Sequence, residues 1–511
     1  MPTWRLIPGS FPIAAAEATG SWRPRVSSPP SVSSTTVTGL LGSFTGLGSV
    51  SDANPANDLP PGYFATSFYR NNTPNFELKS YGIYGELYYD ITDRIKLTAG
   101  LRYNNDKKSV IARTTLANFL NPYSNDGDPF SSPFYPTVGL GGAPFDADPG
   151  TPGLQDFQVR KVGFDKLTGR AVLDFQVTPN NLVYASYSRG YKSGGINPPL
   201  SPVFALPESF GPEQIDAFEI GSKNTLLNGA VQLNATAFYY KYKGLQLSRI
   251  IARTSVNDQI DANIWGLELE SVIRPDPAWL INMSMSYLHA VVAGDQFFSN
   301  PRDPGGGDPN AVIIKDITNG ALCAVTGPSQ AATSAFVAGV NGFLGLQGPK
   351  PFPAGSNIAS TGAFSICNTL TAFAPAGGPI SVLSPGVEVN IKGNKLPQAP
   401  NYKASMGVQY TADFGASGLT LVPRFDISMT GTQYGNVFNG NVNRIKPFVQ
   451  ANAQIQLNGP DDKWFVRGFI QNIFNSDSVT GLYVTDASSG LFSNIFTLEP
   501  RRYGIAAGVS F

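Results

Sequence analysis

From about residue 77 to the C-terminus the chain is written in segments of roughly ten residues in which apolar and polar side chains alternate one by one. In Arg94–Asn104 the odd positions are Ile95, Leu97, Ala99, Leu101 and Tyr103, and the even ones are Arg94, Lys96, Thr98, Gly100, Arg102 and Asn104. In Gln450–Leu457, Ala451, Ala453, Ile455 and Leu457 alternate with Gln450, Asn452, Gln454 and Gln456. A period of two puts the two sets on opposite faces of an extended strand, so one face meets an apolar medium and the other water. Ten residues rising ~3.4 Å each and tilted by about 40° span roughly 26 Å, the height of the apolar band of a membrane barrel. Strands of a soluble sandwich are nearer five or six residues.

The same pattern predicts about thirteen strands, at 78–89, 94–104, 166–177, 182–192, 213–223, 230–243, 262–273, 279–290, 402–410, 419–430, 446–457, 463–473 and 501–511. Their connections alternate. Short turns rich in Asn, Asp, Gly or Pro fall at 90–93, 178–181, 224–229, 274–278, 411–418 and 458–462. Long connections fall at about 105–165, 193–212, 244–261, 291–401, 431–445 and 474–500. Short turns are expected to be periplasmic and long loops extracellular. Aromatic residues cluster at strand ends, as at Tyr88 and Tyr89, Tyr103, Tyr184, Tyr187 and Tyr191, Tyr239, Tyr240 and Tyr242, and Trp279 and Tyr287, where interfacial girdles belong. The fold class is therefore all-β: an antiparallel transmembrane β-barrel.

Charge narrows the partners. The 511 residues carry 36 basic and 36 acidic side chains, so no net field points to nucleic acid. Charged residues make up 14% of the chain against a usual ~25%, which suits a surface that faces lipid. No apolar run reaches the ~18 residues of a membrane helix, so any span is a strand. The lone His289, at the outer end of a strand, and the lack of metal-ligand spacing or a marked serine argue against an enzyme, a metal centre or a bound cofactor.

Cys323 and Cys367 lie in one Gly/Ala/Pro-rich stretch and are expected to form a loop disulfide, with two unpaired thiols as the alternative that spacing leaves open. The 291–401 connection is too long for a plain turn and is expected to be a flexible recognition loop. Its Asp295, Asp303, Asp308 and Asp316 lack the one-three-five spacing of a calcium loop. Residues 1–76 are Ser/Pro/Gly-rich, show no secretory signal, and are expected to be an irregular or mis-assigned segment plus an extracellular loop, with the barrel at 77–511. Arg102, Arg170, Glu219, Glu268, Arg424 and Arg467 fall on the polar faces and are expected to look into the lumen, against water or whatever fills it. The last strand puts Tyr503, Ile505, Ala507, Val509 and Phe511 on one face, resembling the signal by which outer-membrane proteins engage the barrel-assembly machinery.

Longer motifs go further. Ser80-Tyr81-Gly82-Ile83-Tyr84-Gly85-Glu86-Leu87 leads through a short turn to Leu97-Thr98-Ala99-Gly100-Leu101-Arg102-Tyr103. Tyr184-Ala185-Ser186-Tyr187-Ser188-Arg189-Gly190-Tyr191 and Pro212-Glu213-Gln214-Ile215-Asp216-Ala217-Phe218-Glu219-Ile220-Gly221 follow. Gly266-Leu267-Glu268-Leu269-Glu270, Leu396-Pro397-Gln398-Ala399-Pro400-Asn401 and Val466-Arg467-Gly468-Phe469-Ile470-Gln471-Asn472-Ile473-Phe474-Asn475 complete the series. In this order they resemble the barrel of TonB-dependent outer-membrane receptors over about 77–511. The resemblance implies a barrel of about 22 strands around an N-terminal plug, of which this chain would hold the C-terminal thirteen or so, with the plug absent. It further implies energy-coupled uptake of a scarce ligand such as a ferric siderophore, in the bacterial outer membrane, driven through the plug by TonB, ExbB and ExbD. The alternatives are a passive porin-like barrel or a non-functional receptor fragment.

Overall fold

A computed structural model describes residues 4–6, 68–117, 157–199, 207–251, 254–316, 322–352, 361–485, 487 and 491–510. Its main sheet has fifteen strands, two of which are the short Trp4–Leu6 and Ala412–Asp413. The others are β1 (Phe68–Thr92), β2 (Ile95–Ala117), β3 (Gln158–Thr178), β4 (Asn181–Lys192), β5 (Glu213–Leu226), β6 (Val231–Ile251) and β7 (Thr254–Ile273). After them come β8 (Trp279–Ala293), β9 (Tyr402–Tyr410), β10 (Thr420–Thr430), β11 (Phe448–Asn458), β12 (Trp464–Gln471) and β13 (Arg502–Val509). Each pairs antiparallel with its neighbour in the chain, a continuous meander in which all thirteen expected strands are present. Among the described residues no pairing joins the two ends of the sheet.

Alternation sets the faces. In β3 exposed and half-buried residues alternate along most of the strand. Cross-strand register then stacks like on like: Leu101 lies opposite Gly85 and Gly169, Tyr103 opposite Ile83 and Leu167, and Leu267 opposite Ala237 and Tyr287. Leu101, Leu167, Ile220, Leu267 and Met285 on this face are 56–63% exposed. A bare apolar surface running across adjacent strands is a liability in water and the normal outer wall of a barrel in lipid.

Two expectations about length are corrected. β1, β2, β3, β6 and β7 are 20–25 residues long, about twice what the apolar band needs. The 244–261 connection is thus not a loop but the tall end of the β6–β7 hairpin, because Leu245, Leu247 and Arg249 keep the period of two beyond the membrane face. A bulge between Ile260 and Ala262 re-aims that end, and Gly244 answers it at φ +64°, where a Cβ would come within 2.4 Å of Gln259 Nε2. Likewise β1 starts at Phe68, ahead of the 77 boundary, and Trp4–Leu6 in the segment expected to be irregular pairs with Leu87–Tyr89. The rest of that segment, 7–67, lies outside the described residues.

At the other end the strands close in tight turns. Between β11 and β12, Asp461 and Asp462 both take positive φ (+54° and +53°), as the mirror-image turns of hairpins require. Among the described residues no helix is long and apolar enough to cross a membrane.

The 291–401 connection is a packed module rather than the flexible loop expected. Its five-stranded sheet runs Lys350–Pro351, Thr361–Ser365, Val312–Asp316, Leu322–Thr326, Ser381–Leu383, with Val312–Asp316 and Thr361–Ser365 parallel. Helices α1 (Gln330–Phe343) and α2 (Cys367–Phe373) cover it. Val312, Ile314, Cys323, Val325, Val337 and Leu370 form a core with no solvent exposure. The short apolar runs Ala311–Ile314 and Leu322–Val325 have enough mutual surface to bury, which a Gly/Pro-rich linker reading overlooks. Ser329 caps α1 by accepting from Ala332 N at 3.2 Å. A disulfide joins Cys323 to Cys367, with Cα atoms 6.3 Å apart.

Candidate functional site

The polar face is built first by register. Arg102, Arg170, Glu219, Glu268, Arg424 and Arg467 all lie on the face opposite the bare apolar one, since each is an odd number of residues from an outward neighbour such as Leu101, Ile220, Leu267 or Val466. They do not converge on one point. Arg170 grips Glu86 at 2.8 and 3.1 Å, and Tyr88 also donates to that carboxylate. Tyr240 donates to Glu219 at 2.7 Å. Arg424 reaches Asp426 at 2.6 Å and Asn282 at 3.1 Å. Arg102 donates to Asn104 at 2.6 Å. Arg467 lies against the Phe465 ring at 5.9 Å and its buried Nε meets no acceptor. A wall of this kind is wettable and charged along its length without being a single binding point.

The concave site lies at the long-connection end. The base of the module is seated on the upper sheet by a second core, in which Phe298, Ile391 and Leu396 pack with Ile260 and Ala262 of β7, Ala290 and Val292 of β8, and Val437. Asn394 Nδ2 donates to Val437 O at 3.0 Å, and Asn439 Oδ1 accepts from Lys395 N at 2.6 Å, locking the 431–447 connection to the module. Arg302 Nη2 donates to Leu491 O at 3.0 Å and to Ser493, tying in the connection after β12. Asn390 and Lys392 beside the Asp295 carboxyl hold it below the usual carboxylate range.

Between these pieces is a cavity of about 310 Å³. Leu247 and Arg249 line it from β6, Phe298 and Arg302 from the module, Phe438 from the 431–447 connection and Tyr483 from the last one. Arg249 is paired with Asp258, and its guanidinium stands over the Phe298 ring at 5.2 Å. Arg302 Nε is buried without an acceptor. An apolar, aromatic-lined cavity with two guanidinium groups suits a compact ligand that presents rings to the walls and an anionic or carbonyl oxygen to the arginines.

Sequence reading did not single out these arginines, because their neighbours come from a hairpin end and three connections far apart in the chain: Arg302 is 191 residues from Ser493. Asp308 caps its own turn by accepting from Asn310 N at 2.8 Å, and buried Asp316 accepts from Cys367 N at 2.9 Å. Among the described residues no cluster of His, Cys, Asp or Glu could hold a metal. In the last strand Tyr503, Ile505 and Val509 stand bare on one face with Ala507 between them, while Phe511 lies outside the described residues.

A meander of long antiparallel strands, apolar outside and polar inside, with its elaborate connections at one end, defines a membrane β-barrel receptor sheet. The chain belongs to the family of TonB dependent receptor-like β-barrels, whose family model matches residues 18–473. This is a family of outer-membrane receptors and not of enzymes. Pesticin receptors from Yersinia enterocolitica serotype O:8 / biotype 1B and from Yersinia pestis are each 24% identical to it over 278 residues, 53% of this chain and 34% of theirs. The crystal structure of the ferric yersiniabactin uptake receptor FyuA from Yersinia pestis matches 87% of this chain and 47% of its own length, with a TM-score of 0.53 and 16% identity, and so shares its fold. The siderophore receptor PiuA from Acinetobacter baumannii matches 85% of this chain and 43% of its own, with a TM-score of 0.48 and 15% identity. The matched part thus spans about a third of the curated receptors and about half of FyuA.

Proposed function

We propose that this chain is part of a bacterial outer-membrane receptor that takes up a compact, iron-chelate-like ligand of the ferric siderophore class by energy coupling through TonB, ExbB and ExbD. The observation that carries the reading is the cavity between the outer connections, where Arg249 and Arg302 stand among Phe298, Phe438 and Tyr483. Ferric siderophores combine flat aromatic or amide surfaces with oxygen-rich, often anionic metal centres, the two features such a cavity complements. Membership of the receptor family and a fold shared with FyuA, a ferric yersiniabactin uptake receptor, support the ligand class. In this reading the face of Arg102, Arg170, Glu219, Glu268, Arg424 and Arg467 lines the lumen, and the face of Tyr503, Ile505, Ala507, Val509 and Phe511 addresses the barrel-assembly machinery.

The test is equilibrium binding of catecholate, phenolate and hydroxamate ferric siderophores to the purified chain in detergent, beside an Arg249→Ala/Arg302→Ala variant. Selective binding of one class, weakened by roughly tenfold or more in the variant, is expected, because each charged hydrogen bond contributes about 1.5–3 kcal/mol. Failure of every ferric chelate to bind the unaltered chain, or equal binding by the variant, overturns the assignment.

A further inference from the structure

On the apolar face one row of the sheet changes character within a single step. Tyr187, Phe218, Tyr239, Trp265 and His289 lie directly opposite one another on the five adjacent strands β4–β8. The next row on that face, toward the long connections, is Arg189, Asp216, Lys241 and Asn263. Arg189 donates to both Asp216 oxygens, at 2.6 and 2.9 Å, and Tyr187 donates to the same carboxylate at 2.7 Å. Two of the five guanidinium N–H groups are thereby used and three remain. Lys241 and, beyond it, Lys243 are exposed and make no ion pair among the described residues; with Arg189 they set three cations against two carboxylates, Asp216, which Lys243 also attracts, and Asp261, which accepts from Gly244 N at 2.9 Å, so the cluster keeps a surplus of one positive charge above the apolar part of the face.

Beside this row a groove of about 650 Å³ runs over the same face. Gly85, Leu101, Leu167 and Gly169 line it, and Tyr187 and Arg189 stand at one end. A Cβ on Gly85 would meet nothing within 4 Å, so the groove is open at that point.

We propose that Arg189, Lys241 and Lys243 together with this groove form a binding site for one phosphorylated glycolipid of the outer leaflet, its phosphate on the cations and an acyl chain along the groove. Asp216 holds the Arg189 fork flat against the wall while leaving its outer N–H groups for phosphate oxygens, and the ring row fixes the depth at which headgroup gives way to chain. Charge complementarity selects a phosphate-bearing lipid over a neutral one. The site is separate from the cavity between the connections and rests on the proposed placement of this face in the outer membrane.

The experiment reconstitutes the full chain in phosphatidylcholine nanodiscs doped with lipid A or with its dephosphorylated form, and counts lipid retained after detergent extraction by native mass spectrometry. Insertion is scored separately by protease protection. Retention of lipid A over the dephosphorylated lipid is expected, falling about fivefold in Lys241→Gln and further in Arg189→Gln/Lys241→Gln. Gly85→Leu, which fills the groove without touching a cation, should lower retention of both lipids. Lys241→Gln leaves the Arg189–Asp216 pair in place and so separates charge from folding. An inserted chain that holds both lipids equally overturns the site alone, as does competition by inorganic phosphate that removes all retained lipid A. A chain that enters no bilayer overturns the membrane placement and the site with it.

Discussion

Trp265 and His289 stand directly opposite each other on β7 and β8, their rings stacked with centroids 5.2 Å apart. The one histidine of the chain is therefore a member of the ring row. Tyr287, two positions before His289 on β8, also meets the same indole with centroids 5.5 Å apart. Rings with one apolar and one polar edge favour the boundary between acyl chains and headgroups, and on the proposed placement of this face in the membrane the row on β4–β8 lies at that boundary.

The two faces of β7 respond oppositely to charge. Leu269 lies two rows below Trp265 on the apolar face, and Glu270 next to it points the other way. Leu269→Arg is expected to destabilise the inserted sheet by roughly 2–4 kcal/mol, whereas Glu270→Arg changes stability by less than about 1 kcal/mol. Urea titration of the chain folded into lipid vesicles measures both. Equal costs at the two positions would refute the assignment of faces.

Sidedness can be read on intact cells. A cysteine replacing Asn180, in the tight turn between β3 and β4, is expected to resist a membrane-impermeant maleimide, whereas one replacing Asp308, at the base of the module, should label. The native cysteines are joined and give no background. The reverse labelling pattern would invert the topology.

The Cys323–Cys367 bridge closes 44 residues of the module, a constraint worth about 4 kcal/mol on chain-entropy grounds. Non-reduced peptide mass spectrometry of the chain taken from the outer membrane should recover the linked pair. With Cys323→Ala/Cys367→Ala, hydrogen exchange should rise across Val312–Leu383 while the β1–β8 strands keep their protection. Free thiols in the unaltered chain, or unchanged exchange in the variant, contradict the expectation.

The final strand offers a test of assembly. Tyr503, Ile505 and Val509 are 68–83% exposed on β13, on the face away from Arg467. Ile505→Glu should slow insertion by the assembly machinery in cells, seen as loss of the heat-modifiable band on semi-native gels, while Ala506→Ser on the opposite face should leave it unchanged. Normal assembly of Ile505→Glu would remove the signal role from this face.

Strand existence was legible because a period of two is a local property. Whether Ile95, Leu97 and Leu101 share a face depends only on the intervening residues and the extended backbone, so the thirteen segments and the outward sets could be read directly. Where strands end was less legible. The alternation Leu245–Leu247–Arg249 continues past the membrane band, and only pairing with Val256–Ile260 shows that it stays a strand. The module needed more: Val312 and Thr361 are parallel neighbours 49 positions apart in the chain with a helix between them, a partnership no local pattern specifies. The ring row needed the register of five strands at once, since each ring alone reads only as an aromatic near a strand end. The cavity was least legible. Arg249, Arg302, Phe438 and Tyr483 are unremarkable where they stand in the chain, and they meet because the order of strands in the sheet brings three connections over the tall end of the β6–β7 hairpin. A contact between distant segments is decided by which sheet rows carry them, and that information resides in cross-strand hydrogen bonding and packed cores, which exist only once the chain has folded.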